Sequence, residues 1–343
     1  MSIESKVQDP RTTAPSASAA AATTGPARRP SLLRQLPYTV VAMRPKQWTK
    51  NALVLLALIF ARKLTDLGAI ERAAAAFFAF SLAASAVYLI NDIADRHQDR
   101  LHPKKSRRPI ASGRLRVPLA IVTVAACIGG AGALTGWLVL VGMRGVADPF
   151  VPWGGGPALF VATIGAYVVL NVLYSSWLKH QVLWDVFVVA AGFVLRAMAG
   201  AFAVLVPISP WFYLATTFLA LFLALGKRRA ELVQLGEDAG RHRAILRDYT
   251  TPLLDQLLGV VVTCTLITYS LYTFQGDNGE HTLMLTIPFV LFGVFRYLYL
   301  IYVRQEGGQP DEVLWRDRQI LGAVVLCVLT VLALLYGLPM VRP

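Results

Sequence analysis

Asn91-Asp92-Ile93-Ala94-Asp95-Arg96-His97-Gln98-Asp99 follows a mostly apolar run, Arg72 to Ile90, and leads into a basic segment. On a helix that continues through it, Asp92, Asp95 and Asp99 step by three and then four residues. That spacing puts the three carboxylates on one face within ~10 Å. Like charges so placed repel, and a solvated helix gains nothing from them. A divalent cation carrying a polyphosphate removes the repulsion. Mg2+ is commonly held by one or two carboxylates plus substrate phosphates rather than by a protein cage. The stretch therefore reads as a Mg-diphosphate site at the mouth of a membrane helix, with Asn91 adding a neutral oxygen. The bland alternative is an acidic cluster paired with its own basic neighbours.

The surroundings fit a membrane. The chain has 343 residues, 56% hydrophobic and 15% charged, with mean hydropathy +0.55. Soluble domains carry about 25% charged residues, so the composition predicts an all-α polytopic membrane protein. Nine spans are expected, near 48–63, 70–91, 117–141, 157–174, 182–206, 210–226, 253–275, 282–303 and 319–339. The first and sixth are short for a straight crossing, and the amphipathic approach to the first extends it. Trp48 suits an interface and Pro45 a helix start. Residues 1–35 read as a disordered cytoplasmic tail without a signal peptide, and 36–343 as one catalytic domain.

The net charge of +13 is unevenly placed. With the N-terminus inside, 26 of the 33 Lys and Arg fall in inner segments and five in outer ones. The expectation is a plasma-membrane protein with the N-terminus and the acidic stretch cytoplasmic. Such an excess points to anionic lipid or phosphate ligands, not nucleic acid. Cys127, Cys264 and Cys327 sit in apolar runs without metal-ligand spacing.

Three more inner-side constellations could carry chemistry. Arg107, Arg108 and Arg114 lie in the loop after the acidic stretch, and guanidinium forks match phosphate. Otherwise this is a positive-inside loop. Tyr174 and Lys179 stand in a short loop before Asp185. Asp185 and Arg196, eleven residues apart, share a helical face and must point inward. Lys227-Arg228-Arg229-Ala230-Glu231 closes the sixth span. Three successive cations cannot share a face, but Lys227 and Glu231 can. Arg296 reads as an interior ion-pair partner, and Asp317 as solvated between Arg316 and Arg318.

The acidic motif, followed by Arg108-Pro109-x-x-Ser112-Gly113-Arg114, resembles the UbiA superfamily of intramembrane prenyltransferases over residues 40 to 340. The resemblance implies a helical bundle around a central cavity, open to the cytoplasm and sideways to lipid, with Mg2+ on Asn91, Asp92, Asp95 and Asp99. Most members carry a second aspartate pair after the sixth span; here Lys227, Arg228 and Arg229 stand there. That departure suits a substrate with a phosphate beyond its diphosphate, such as phosphoribosyl pyrophosphate. With Arg44 through Asn51 and Tyr174 through Asp185, it resembles the branch that transfers 5-phosphoribose to decaprenyl phosphate, an entry step to lipid-linked arabinose for cell-wall arabinan. Lys46, Lys50, Lys179 and Tyr174 would then face the polyprenyl phosphate. An ordinary aromatic prenyltransferase and a transporter or lipid-binding protein are the rivals. Prenyl length and self-association stay open.

Overall fold

Small residues let helices approach closely, and two Ala-rich helices form the middle of the bundle. A computed structural model describes residues 32–102, 105–236, 244–275, 281–308 and 310–337. The expected tail lies outside them except for its last residues, which open helix α1, Leu32–Met43. A 3-10 helix, Pro45–Leu55, and the short α2, Leu56–Phe60, follow. Then come α3, Leu67–Ala94, α4, Arg96–Leu101, α5, Val117–Trp137, and α6, Gly156–Ser176. Next are α7, Trp184–Val204, α8, Pro210–Leu235, α9, Thr251–Phe274, and α10, Ile287–Tyr299. The last two are α11, Pro310–Arg316, and α12, Arg318–Leu332. No strand occurs among the described residues.

Among the described residues, eight helices are long and apolar enough to cross a membrane, with α5, α10 and α12 continued by π or 3-10 turns to Val117–Gly142, His281–Arg304 and Arg318–Gly337. Over their most apolar stretches α3 is 61% buried and α7 67%, against 17% for α5 and α12, so α3 and α7 are central and the other two peripheral. The sixth expected span is longer than its apolar run, because α8 stays helical through the cations to Leu235. A turn expected from Gly276-Asp277-Asn278-Gly279 lies outside the described residues.

The ninth crossing differs from expectation. The first expected span, 48–63, is instead an interrupted helical element over Leu32–Phe60, called the first crossing below because it takes that span's place. Gln35 accepts the backbone N–H of Arg116, the residue that opens α5. The Met43 carbonyl accepts from Ser85, seven residues or ~10 Å below Asp92 along α3. So α1 descends beside α3, and Leu36, Val40 and Val41 on its outer face are exposed. The chain breaks at Arg44, in the left-handed region at φ 56° and ψ 59°. At ~2.0 Å per residue, the 3-10 helix with α2 then spans about 30 Å, where an α-helix of that length would reach only about 24 Å. Stretching lets a short segment finish the crossing.

A 3-10 helix aligns every third residue, and this one turns Trp48, Asn51 and Val54 inward. Trp48 donates to Ser85, so it faces α3, and Asn51 donates to Ser81. Val54 is fully buried, and a Cβ on Gly200 of α7 would lie 2.0 Å from its carbonyl oxygen. Because the obstacle is backbone, Gly200→Ala must push the crossing off α7. Thermal unfolding in detergent should show a loss of about 1–3 kcal/mol, typical of overpacking; an unchanged melting temperature would refute the tight contact.

Candidate active site

Two charged clusters stand at the end of the bundle where α3 and α8 finish and α7 begins. Asp92 and Asp185 are each eleven residues from one polar layer, formed by Ser81, Asn51 and Arg196. They therefore stand at one height, ~16 Å from that layer.

The first cluster is built on the acidic stretch. The helix steps at Asp95, which ends α3 and opens α4, yet α-type bonding runs on from Asn91 to Asp95 and from Asp95 to Asp99. Asp92 and Asp99 therefore stay on one side, each 2% exposed. Arg108 Nη1 lies 3.0 Å from Asp92 Oδ1 and 2.7 Å from Asp99 Oδ2, bridging them. Arg44 Nη2, from the break in the first crossing, donates to Asp92 Oδ1 at 2.6 Å and stacks over Tyr88. Lys105 is 4.0 Å from Asp99. Two carboxylates thus face two guanidiniums, as in the bland alternative, and the carboxylates are buried while the arginines are about 30% exposed. Asp95 and Asn91 are half-buried beside this pair, and Asp95 makes neither ion pair. Arg107 and Arg114 are exposed and bonded to each other, Arg114 also stacking on Tyr38, so neither reaches the carboxylates.

The second cluster corrects the expected cationic rim. Arg228 is buried, donating at 2.6 Å to Asp185, which is 0% exposed, and at 2.7 Å to Glu231. Its other nitrogen is 3.5 Å from the Tyr174 hydroxyl. Lys227 is half-exposed and 3.9 Å from Glu231. Arg229 turns away, to Asp255, the Ile301 carbonyl and the ring of Tyr302. Successive residues of a helix point ~100° apart, so the three cations cannot converge. Asp185 pairs with Arg228, not with Arg196. Lys46 is exposed and Lys179 half-buried, and Lys50 is half-buried on the 3-10 helix.

Sequence reasoning missed Tyr249. Its hydroxyl donates to Asp185 Oδ1 at 2.7 Å and accepts the backbone N–H of Leu183. Burial, with the Asp185 carboxylate beside it, pushes that hydroxyl well above its ordinary pKa, so it stays a donor. A lone Tyr in a polar loop carries no signal for this. The role of Arg44 was equally hidden, since its partner lies 48 residues away. Arg296 pairs with Asp317, which also caps α12; that bond holds the Asp317 carboxyl below the usual range, so Asp317 is not simply solvated.

Deeper in the bundle, Arg196 is buried among neutral partners: Asn51 Oδ1 at 2.7 Å, the Gly192 carbonyl at 2.6 Å and the Tyr167 hydroxyl at 3.0 Å. This ties the first crossing to α6 and α7. Asn51→Ala removes the bond to the charged Arg196 and the bond to Ser81, of which the first alone is a loss of about 1.5–3 kcal/mol, read as a lower melting temperature in detergent. No change would mean that Tyr167 and Gly192 suffice. Toward the far end, a cavity of ≈ 530 Å³ opens between the first crossing, α7, α8 and α9, lined by Phe60, Met198, Phe212, Tyr213 and Tyr272.

Among the described residues, no three His, Cys, Asp or Glu side chains gather as a metal cage. Asp92 and Asp99 nevertheless fit a divalent ion that brings its own phosphate oxygens. They are all-oxygen donors, they are buried, and they already close on one cationic nitrogen.

The model of the UbiA prenyltransferase family matches residues 52–314. The chain is 34% identical to a decaprenyl-phosphate phosphoribosyltransferase of Corynebacterium glutamicum, covering 88% of this chain and 87% of that one. It is also 34% identical to one of Mycobacterium tuberculosis, over 81% of this chain and 88% of the relative. A UbiA homolog from Archaeoglobus fulgidus, solved with GPP and Mg2+, superposes with TM-score 0.61 at 17% identity, over 87% of this chain and 99% of that one. The same homolog with DMAPP and Mg2+ gives 0.62 at 18%, over 88% and 100%. At such identity these structures speak for the shared fold.

Proposed function

The chain belongs to the UbiA prenyltransferase family and is a transferase, and from that premise we propose that it moves 5-phosphoribose from phosphoribosyl pyrophosphate to a polyprenyl phosphate. The products are polyprenyl-phosphoryl-5-phosphoribose and diphosphate, a precursor step for cell-wall arabinan. The charged end of the bundle would face the cytoplasm of a bacterial plasma membrane, as its basic loops favour.

One observation carries the reading. After the sixth long stretch, where the resemblance expects a second carboxylate pair, Lys227 and Arg228 stand instead, and the nearby Asp185 and Glu231 are already taken by Arg228. That cluster offers a half-exposed ammonium to an anion and little to a second metal. The names of the relatives agree with such a donor.

The nucleophile is the lipid's own phosphate oxygen, already charged near neutral pH, since a phosphate monoester has its second pKa near ~6. No protein base is needed. Asp92 and Asp99, with Asn91 and Asp95 beside them, would hold Mg2+, whose charge would offset that of the diphosphate leaving group. Lys46, Lys50 and Lys179 orient the lipid phosphate, and Tyr174 donates a hydrogen bond. Lys227 takes the ribose 5-phosphate, while Arg228 keeps the end of α8 in register. The isoprenoid chain runs toward the apolar cavity below. Holding two polyanions together is the main task, so many cations and no base is the fitting inventory.

The test supplies purified protein with radiolabelled phosphoribosyl pyrophosphate, polyprenyl phosphate and Mg2+. Label should enter the lipid only with the metal. No Mg-dependent incorporation, or transfer from a prenyl diphosphate to an aromatic acceptor instead, would reject the reading.

A further inference from the structure

Arg108 occupies the position between Asp92 and Asp99 that a cation must take. We infer that Arg108 is an exchangeable stand-in for the metal: it leaves the carboxylates when Mg2+ arrives with a diphosphate, and then binds that diphosphate. The inference rests on the proposed site and adds a role that the binding geometry alone does not imply.

Three observations carry it. First, one nitrogen of Arg108 serves both carboxylates, at 3.0 and 2.7 Å, so both must be released together. Second, the carboxylates are held in the bundle at 3% side-chain exposure, whereas the Arg108 side chain is 28% exposed and comes from a loop. The reachable partner is the one free to move. Arg44 is less free, being stacked on Tyr88 and rooted at the break of the first crossing.

Third, charge opposes a bare metal ion while Arg108 stays. Asp92 and Asp99 are neutralised by Arg44 and Arg108. A divalent ion added while Arg108 stays leaves two unmatched positive charges in a half-buried site, where effective permittivity is well below that of water. If Arg108 leaves, its guanidinium meets the incoming anion, and a fork suits a diphosphate. Metal and diphosphate should therefore bind together, each poorly alone. A bare ion would not be retained between turnovers.

The test uses full-length protein in detergent and follows its melting temperature with Mg2+, sodium diphosphate or both. In the unmodified protein, Mg2+ alone should bind at least tenfold more weakly than Mg2+ with diphosphate. Arg108→Gln should bind Mg2+ alone at least tenfold more tightly than the unmodified protein, and gain less from added diphosphate. Should that variant fail to fold, Arg108→Lys keeps the charge without the fork and should show a smaller gain in Mg2+ affinity. Mg2+ affinity unchanged or lowered in the folded variant would overturn the exchange. So would tight binding of Mg2+ alone to the unmodified protein. Label transfer by the unmodified protein decides the proposed function separately: a competent enzyme with no gain in Mg2+ affinity at Arg108→Gln refutes the exchange and leaves the function standing.

Discussion

Asp92→Asn should lower the proposed phosphoribosyl transfer by a factor on the order of 10³, while the protein still purifies as a folded bundle. The size follows from losing preorganised electrostatic stabilisation at the leaving group, about 10²–10³ for one such contact, with a metal ligand at the upper end. Survival of the fold follows from exposure. Arg44 loses its carboxylate, whereas Arg108 keeps Asp99, and both are about 30% exposed and within reach of water. The measurement pairs label transfer with thermal unfolding on the same preparation. Near-normal transfer by folded Asp92→Asn would sink the assignment of the acidic stretch. A collapse of stability together with activity would instead make Asp92 a structural ion-pair partner.

Arg228→Met has the opposite profile, a large loss of stability. It takes away the guanidinium that donates at 2.6 Å to Asp185, which is fully buried. Removing one partner of a buried pair costs about 3–5 kcal/mol, because the other charge stays behind without compensation. The double change Asp185→Asn with Arg228→Met should recover much of that, since it removes the stranded charge. Lys227→Met, one residue away, should cost less than about 1 kcal/mol, as its pair is half-exposed, yet raise the KM for phosphoribosyl pyrophosphate. Equal melting temperatures for the Arg228 and Lys227 variants would show that the buried pair contributes nothing. An unchanged KM at Lys227→Met would remove that lysine from the donor site.

These predictions divide between what local sequence patterns carry and what they cannot. Eight of the nine expected spans are continuous helices, because hydropathy over twenty residues is a local property. The step of seven from Asp92 to Asp99 keeps both on one side, because helical periodicity survives the step at Asp95. The first crossing escaped such reasoning. Its 3-10 winding goes with the bonds among Asn51, Ser81 and Arg196 and the close approach of Gly200 to Val54, contacts up to 146 residues apart in the chain.

The sequence by itself determined that the chain is a helical membrane bundle, that its cations crowd one end, and that Asp92, Asp95 and Asp99 step along one helical stretch there, of which the structure pairs only Asp92 and Asp99. Each of these follows from residues near one another along the chain. Tertiary structure alone decided which cation meets which carboxylate: Arg108 and Arg44 on the first pair, Arg228 buried against Asp185, Arg229 turned away. Arginine side chains are long and can reach several partners, so their choice is made by the helices brought alongside, and no spacing in the chain encodes it.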